Sequence, residues 1–405
     1  MAKKKRTITN HDNIELAEGM SQQLDELREG IKGQRKFKHE NRAVVISFVI
    51  MLVAYLYSVS LFVIVPETQI SLAQWLNLSA QRFSNFISYV GGNNGSAFTI
   101  TIVRYTSIAI SGAALAVAGI LFQGSFRNII ASPSTMGVQS GATLGNALYI
   151  FFFVKLFEQS QFIHTDLDAY HELNFFQQNQ QQLMAMGGSL IAIAVVVAIT
   201  SAIGKGKFTS ANILFSGMIF SSFAGCITTI LQYYFMYHDQ DDSRWQALSY
   251  LNIGNFDKII TVNHLSTIAA FILPCLVAVI LISPRLNVLV MGDDEAKTMG
   301  MNVKFYRNTI IIVGTLIAAV VFAFAGQIGF VGFIIPQICR RFIGPNFKKL
   351  VPMCIFLGAA FLIIVYDIAL LTGQVASINI ITSAIGCAMM LFSFIKGKGG
   401  RVYEE

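Results

Sequence analysis

Hydrophobic and polar positions alternate along this chain in blocks of tens of residues. After a polar stretch at 1–43, ten apolar segments recur at 44–65, 97–122, 135–156, 183–203, 211–236, 264–283, 306–324, 328–342, 351–371 and 378–395. About 20 apolar residues in helical conformation cross a bilayer core, so the pattern predicts an all-α membrane protein of ten spanning helices. The eighth segment is short, and the alternative there is one helix broken at Gly326.

The longest polar interruption in the carboxy-terminal half is 284–307. Asp293, Asp294, Glu295 and Lys297 cannot lie cheaply in hydrocarbon, so this loop is in water. Residues 293–299 read as a short helix: three acids suit the positive end of the helix dipole, and Gly300 is a natural stop. A loop that only turns the chain round has no need of a helix, and we read it as a docking element. In the polar tail, Met20, Leu24, Leu27 and Ile31 fall at helical spacing. That allows either an amphipathic helix or a solvated anchor that fixes topology.

Charge settles the direction of threading. With the tail in the cytoplasm and all ten segments spanning, 24 of the 29 Lys and Arg residues lie inside. Only Arg82, Arg104, Lys155, Arg244 and Lys258 remain outside. This is the positive-inside asymmetry, and an odd number of spans would scramble it. Both termini are therefore expected in the cytoplasm of a multi-pass protein of the cell (inner) membrane. The division is a basic tail at 1–43, a transmembrane domain at 44–396 with the polar loop at 284–305, and a short tail at 397–405.

Composition agrees. Of 405 residues, 54% are hydrophobic and 13% charged, against about 25% charged in soluble domains, which excludes a soluble globular enzyme. The net charge of +7 is gathered on one face of the membrane and gives no reason to expect nucleic acid. Five cysteines lie in or beside apolar runs without a CxxC pair, as small buried hydrophobes do. The start of the chain is too long and polar to be a cleavable signal peptide. In the outer loop at 158–182, His164, Asp166 and His171 have metal-ligand residue types. Their spacing matches no known site, and a solvated loop is the reading adopted.

Two stretches are dense in glycine. In 119–145, Gly137, Gly141 and Gly145 recur every four residues, preceded by a turn where Ser132 or Ser134 can cap the next helix after Pro133. In 325–352, Gly326, Gly329 and Gly332 recur every three, Pro336 breaks the span, and Arg340, Arg341, Lys348 and Lys349 mark a cytoplasmic exit. Either stretch alone implies close helix packing.

Together with the polar loop they resemble a family. LFQGSFRNIIASPSTMGVQSGA, GDDEAKTMGMNV and AGQIGFVGFIIPQICRRFIGPNFKKLVP are similar, in order and spacing, to the signatures of the FecCD permeases. These carry iron-siderophores, haem or cobalamin and are type II ATP-binding-cassette (ABC) importers. The resemblance covers about 44–396 and implies the type II permease fold. It implies that Gly292, Asp293, Glu295, Lys297, Met299 and Gly300 couple to a cytoplasmic ABC ATPase dimer. It further implies that Asn128, Ile130 and Ser210 form a cytoplasmic gate, with the fifth span and a short helix after Arg244 lining the path. A second permease subunit, alike or different, and an extracytoplasmic substrate-binding protein are the other implied partners. The outer face departs from the family. Arg104 stands where arginines dock the binding protein, but Tyr105, Thr106 and Ser107 follow it, Ile368 replaces an arginine, and Gln337 replaces a histidine.

No G-x-x-x-x-G-K-[ST] occurs, so ATP and Mg fall to the partner ATPase, with no cofactor expected on this chain and no catalytic residues. The expected function is import of an iron chelate, a ferric siderophore or haem, across the bilayer. The alternatives are cobalamin on the same fold or an ion-gradient-driven carrier built on Asp367, the only acid deep in a span.

Overall fold

The computed structural model describes residues 41–58, 95–153, 176, 179–203, 210–238, 243–256, 259, 262–372 and 377–395. The readings made of the tail helix, of Arg82 and of His164, Asp166 and His171 lie outside these residues. The described residues are helical and contain no strand. In order they form α1 (Asn41–Ser58), α2 (Gly95–Phe126), α3 (Val138–Phe152), α4 (Gln180–Ile203), α5 (Ser210–His238) and α6 (Ser243–Ile253). Then come α7 (Val262–Met291), α8 (Asp293–Thr298), α9 (Val303–Ala325), α10 (Val331–Ile343), α11 (Phe347–Leu371) and α12 (Ile378–Ile395).

Each of the ten apolar segments contains one of these helices. Seven, namely α1, α2, α4, α5, α7, α9 and α11, are long and apolar enough to cross a membrane. The other three, α3, α10 and α12, offer shorter apolar stretches. The remaining two helices, α6 and α8, are short and lie in the polar interruptions.

α2 is the central helix, buried from Ala113 to Phe126 and packed by α7, α9, α10 and α11. Lipid is as apolar as leucine, so such packing depends on small residues that let backbones approach. A methyl group at Gly119 would sit 2.0 Å from the Gly332 carbonyl on α10, and one at Gly112 would sit 2.3 Å from the Gly358 carbonyl on α11. The glycine stripe of α3 serves the same purpose: Gly141 and Gly145 face Gly188 of α4.

The structure moves several expected boundaries, two of them for reasons visible in the packing, and answers one open junction. α7 does not stop at residue 283 but continues through Pro284 to Met291. A proline removes one internal hydrogen bond and can be tolerated with a kink, and Leu286 and Leu289 on the extension are fully buried. The third helix begins at Val138, three residues later than expected, because 132–137 is a separate turn. Within it the Ser132 hydroxyl accepts from the Thr135 N–H at 3.3 Å, so that serine caps the turn, while Gly137 stands at the helix start without a side-chain cap.

The open junction lies between the seventh and eighth segments. They form α9 and α10 with a break at 326–330, Gly326 ending α9 at φ 71°. A broken helix at membrane depth is tolerated only where other groups satisfy its backbone. Here the Asn255 N–H donates to the Ala325 carbonyl at 2.8 Å, and the Gly329 N–H donates to Asn379 Oδ1 at 3.0 Å. Gln123, buried in α2, donates to the Gly332 carbonyl at 3.2 Å.

Candidate functional site

The site is built at the end of the bundle where α2, α7, α8 and α9 meet. α8 is one and a half turns long, so almost none of its stability is intrinsic, and its ends are closed by specific hydrogen bonds. At its carboxyl end the Gly300 N–H donates to Lys297 O at 2.9 Å and the Met301 N–H to Ala296 O at 3.0 Å. That pair is a Schellman stop, which places Gly300 at φ 76°. Asn302 then caps α9 by accepting from the Phe305 N–H. Ala296 is fully buried and fixes the inner face of α8.

The outer face presents Asp294, Glu295, Lys297, Thr298 and Met299, all exposed, with Met291 and Phe305 exposed beside them. Lys297 Nζ lies 2.9 Å from Asp294 Oδ1, and that pairing raises the Lys297 pKa. An acidic rim around exposed methionine and phenylalanine suits a protein partner better than solvent or lipid.

Asp293 behaves differently from the rest of the expected coupling set. Its carboxylate turns inward and is gripped by Arg307 of α9, with Nη2 2.6 Å from Oδ1 and Nη1 3.0 Å from Oδ2. Arg127, just past the end of α2, reaches the same Oδ1 at 3.1 Å. The hydrogen bonds from Arg307 hold the Asp293 carboxyl below its ordinary pKa, with the charges of Arg307, Arg127 and Lys297 adding to the effect. Glu295, Lys297 and Met299 thus face outward, while Asp293 anchors α8 to the bundle.

Arg127 opens the turn that carries Asn128 and Ile130. The Asn128 N–H donates to Gln123 O at 3.2 Å, its Oδ1 accepts from the Ile130 N–H at 2.9 Å, and the Ala131 N–H donates to Asn128 O at 3.2 Å. Thr135 Oγ1 donates to Ile130 O at 3.3 Å. These bonds hold the turn, with Ile129 and Ala131 buried and Asn128 and Ile130 half-exposed. Ser210 is the first residue of α5. Two turns further along, Gly217 passes so close that a methyl group there would lie 2.6 Å from Thr135 O. The structure therefore brings the first half of α5 against the 132–137 turn that follows Ile130.

Arg104 lies at the opposite end of α2, half-buried, and donates to the Tyr366 hydroxyl at 3.4 Å. The residues that depart from the family pattern are engaged internally there. Tyr105 donates to Asp367 Oδ1 at 2.7 Å, Ser58 of α1 donates to Asp367 Oδ2, and Thr106 bonds Tyr55 at 2.8 Å. Asp367 is therefore the acceptor of a hydroxyl knot tying α1, α2 and α11.

Sequence reading missed a second polar group, around the break between α9 and α10. Gln327 donates to Thr143 Oγ1 at 2.9 Å and to Asn252 Oδ1 at 3.1 Å, and accepts from Gln139 at 3.0 Å. Asn379 donates to Asn252 O at 3.4 Å. The cluster joins α3, α6 and α12 to the break. Its residues are scattered amides and one threonine, a signal that does not say which side chain meets which. Arg127 was legible as part of the F-R-N signature, but its partner was not. All five cysteines are free, Cys339 and Cys354 buried as expected and Cys226 and Cys387 exposed. Among the described residues no group of His, Cys, Asp and Glu could hold a metal ion.

The model of the FecCD transport family matches residues 44–396. The cobalamin import system permease protein of Halobacterium salinarum is 29% identical over 73% of this chain and 72% of its own length. The molybdate import system permease protein of Haemophilus influenzae is 27% identical, covering 76% of this chain and 83% of its own. The hemin transport system permease protein of Yersinia pestis is 27% identical, covering 75% and 84%. A solved inward-facing structure of a metal-chelate type ABC transporter superposes with a TM-score of 0.65 at 21% identity, over 88% of this chain and 99% of that one.

Proposed function

Because this chain belongs to the FecCD transport family and is an ABC importer permease, we propose that it carries an iron chelate into the cytoplasm, driven by a separate ATPase dimer docked on α8. Two permeases form the path, fed by an extracytoplasmic binding protein. Support for an iron chelate as cargo comes from relatives named for iron uptake and hemin transport. Others named for cobalamin and molybdate share the fold, so the scaffold accommodates several cargoes.

The observation that carries the reading is α8: a folded helix with an acidic and apolar outer face, anchored to the turn holding Asn128 and Ile130. ATP-driven closure of the ATPase dimer moves α8, and the gate of Asn128, Ile130 and Ser210 alternates with the outer opening. Binding energy achieves this only by favouring one state over the other. The same reading has ten spans with both termini in the cytoplasm. The helix directions support it. The end of α2, the end of α7 and the start of α9 share the α8 end of the bundle, while the end of α1, the start of α2 and the end of α11 share the other.

Cysteine placed at Glu295, in a background without the five native cysteines, tests the reading. An impermeant thiol reagent should label it only from the cytoplasmic side, and bound ATPase should protect it. Labelling from outside the cell would overturn the assignment. Asp367→Asn, which keeps an acceptor for one hydroxyl, should leave ATP-dependent uptake in place, whereas ATP-independent uptake abolished by that variant would favour the ion-coupled carrier.

A further inference from the structure

Two helix ends at this site share the backbone bond that reaches back five residues, but not the residue type in the left-handed position. α8 ends with Gly300 in the left-handed region, the usual residue there because it has no Cβ. α2 ends in the corresponding way: the Asn128 N–H donates back to Gln123 O, and the residue in the left-handed position is Arg127, at φ 48°. A side chain is disfavoured at such a φ, and local strain of this kind persists where the surrounding structure demands it. Glycine would satisfy the backbone of this turn better than arginine does. What arginine adds is a guanidinium that reaches Asp293, 166 positions away, at 3.1 Å.

We propose that Arg127 is a positioning residue that transmits movement of α8 to the gate turn, with Asp293 as the shared pivot between Arg127 and Arg307. The inference rests on the docking and gating reading given above. Arg307 binds the pivot through both carboxylate oxygens and is the more enclosed arginine, its side chain 18% exposed against 40% for Arg127. The Arg307 fork therefore keeps α8 in register with α9. Arg127 makes a single bond to one of those oxygens, so its contact can lengthen or break as α8 shifts. The turn behind it is stiffened by the Asn128 and Thr135 bonds, so displacement of Arg127 is carried to Asn128 and Ile130 without being absorbed locally. An exposed pair such as this adds little to stability, which suits a link whose purpose is to move.

Arg127→Gly separates the two roles, because glycine relieves the backbone and deletes the link. The experiment uses the permease with its ATPase in proteoliposomes, with Ile130→Cys as reporter in a background free of native cysteines. The rate of N-ethylmaleimide labelling is compared without nucleotide and after trapping with Mg-ATP and vanadate. In the parent this rate should change at least fivefold. With Arg127→Gly the ATPase should still co-purify and hydrolyse ATP, yet the change should fall below twofold, and Arg127→Lys should restore part of it. A fivefold change that survives Arg127→Gly would overturn the proposal alone. Loss of co-purification would make Arg127 a support of α8 and would also overturn it. No nucleotide dependence in the parent would remove the gate reading, and this proposal with it.

Discussion

Gly187 and Gly188 are neighbours on α4, and their replacement by alanine should have opposite effects. A methyl group at Gly188 would lie 2.3 Å from the Gly141 carbonyl and 2.9 Å from the Gly145 Cα on α3; one at Gly187 meets nothing within 4 Å. The backbone of α3 cannot give way as a flexible side chain would, so the two helices must part by roughly 0.7 Å or more, and a gap of about 0.5–1 Å forfeits a quarter to a half of each contact along the seam. Overpacking of this kind costs about 1–3 kcal/mol. Alanine recovers about 1 kcal/mol of helix propensity at either site. Gly188→Ala should therefore be destabilising by up to about 2 kcal/mol, while Gly187→Ala should be neutral or stabilising by up to about 1 kcal/mol. Thermal inactivation of the detergent-purified permease, read by size-exclusion recovery, orders the three proteins as Gly187→Ala, parent, Gly188→Ala. Equal midpoints for the two variants would refute the argument that this interface is held by backbone approach, because propensity alone treats them alike.

Two further outcomes follow from the polar contacts. Gln327→Leu leaves the half-buried Asn252 and Gln139 side chains without this partner, while Thr143 keeps its bond to the Gln139 carbonyl, and a buried polar group left unpaired costs about 1–3 kcal/mol. The expected result is a lower midpoint together with faster limited proteolysis at α6, and an unchanged α6 cleavage rate would mean that the amide cluster does not hold that helix. For Asp293, the folded-state pKa is depressed, so its stabilisation is present above the unfolded carboxylate value and is lost as pH falls through the folded one. The stability difference between parent and Asp293→Asn should stay constant above about pH 5 and shrink below about pH 4. A difference that grew on acidification would contradict the inward anchoring of this carboxylate.

The candidate site was partly legible before any coordinates. Asp293–Thr298 is a helix because its signals are local: acids at one end, a stop glycine at the other, and too little apolar length to enter lipid. Glu295, Lys297 and Met299, which the family resemblance implies at the coupling contact, are exposed in the structure. Asp293 could not be separated from them by inspection, because what turns it inward is Arg307 and Arg127, and no local rule names a partner 166 positions away. The same holds for Asp367, whose hydroxyl donors come from Ser58 and Tyr105, 309 and 262 positions distant.

By itself the sequence determined the membrane class, ten apolar segments, the stripes of glycine and the family signatures, because hydrophobic length, small-residue period and stop chemistry are written over short stretches of chain. Tertiary structure alone decided what satisfies the break between α9 and α10, that α7 runs on through Pro284, and that Arg127, Asp293 and Arg307 meet. These depend on what supplies the missing hydrogen bonds and buried surface, which is a property of helices brought together from distant parts of the chain.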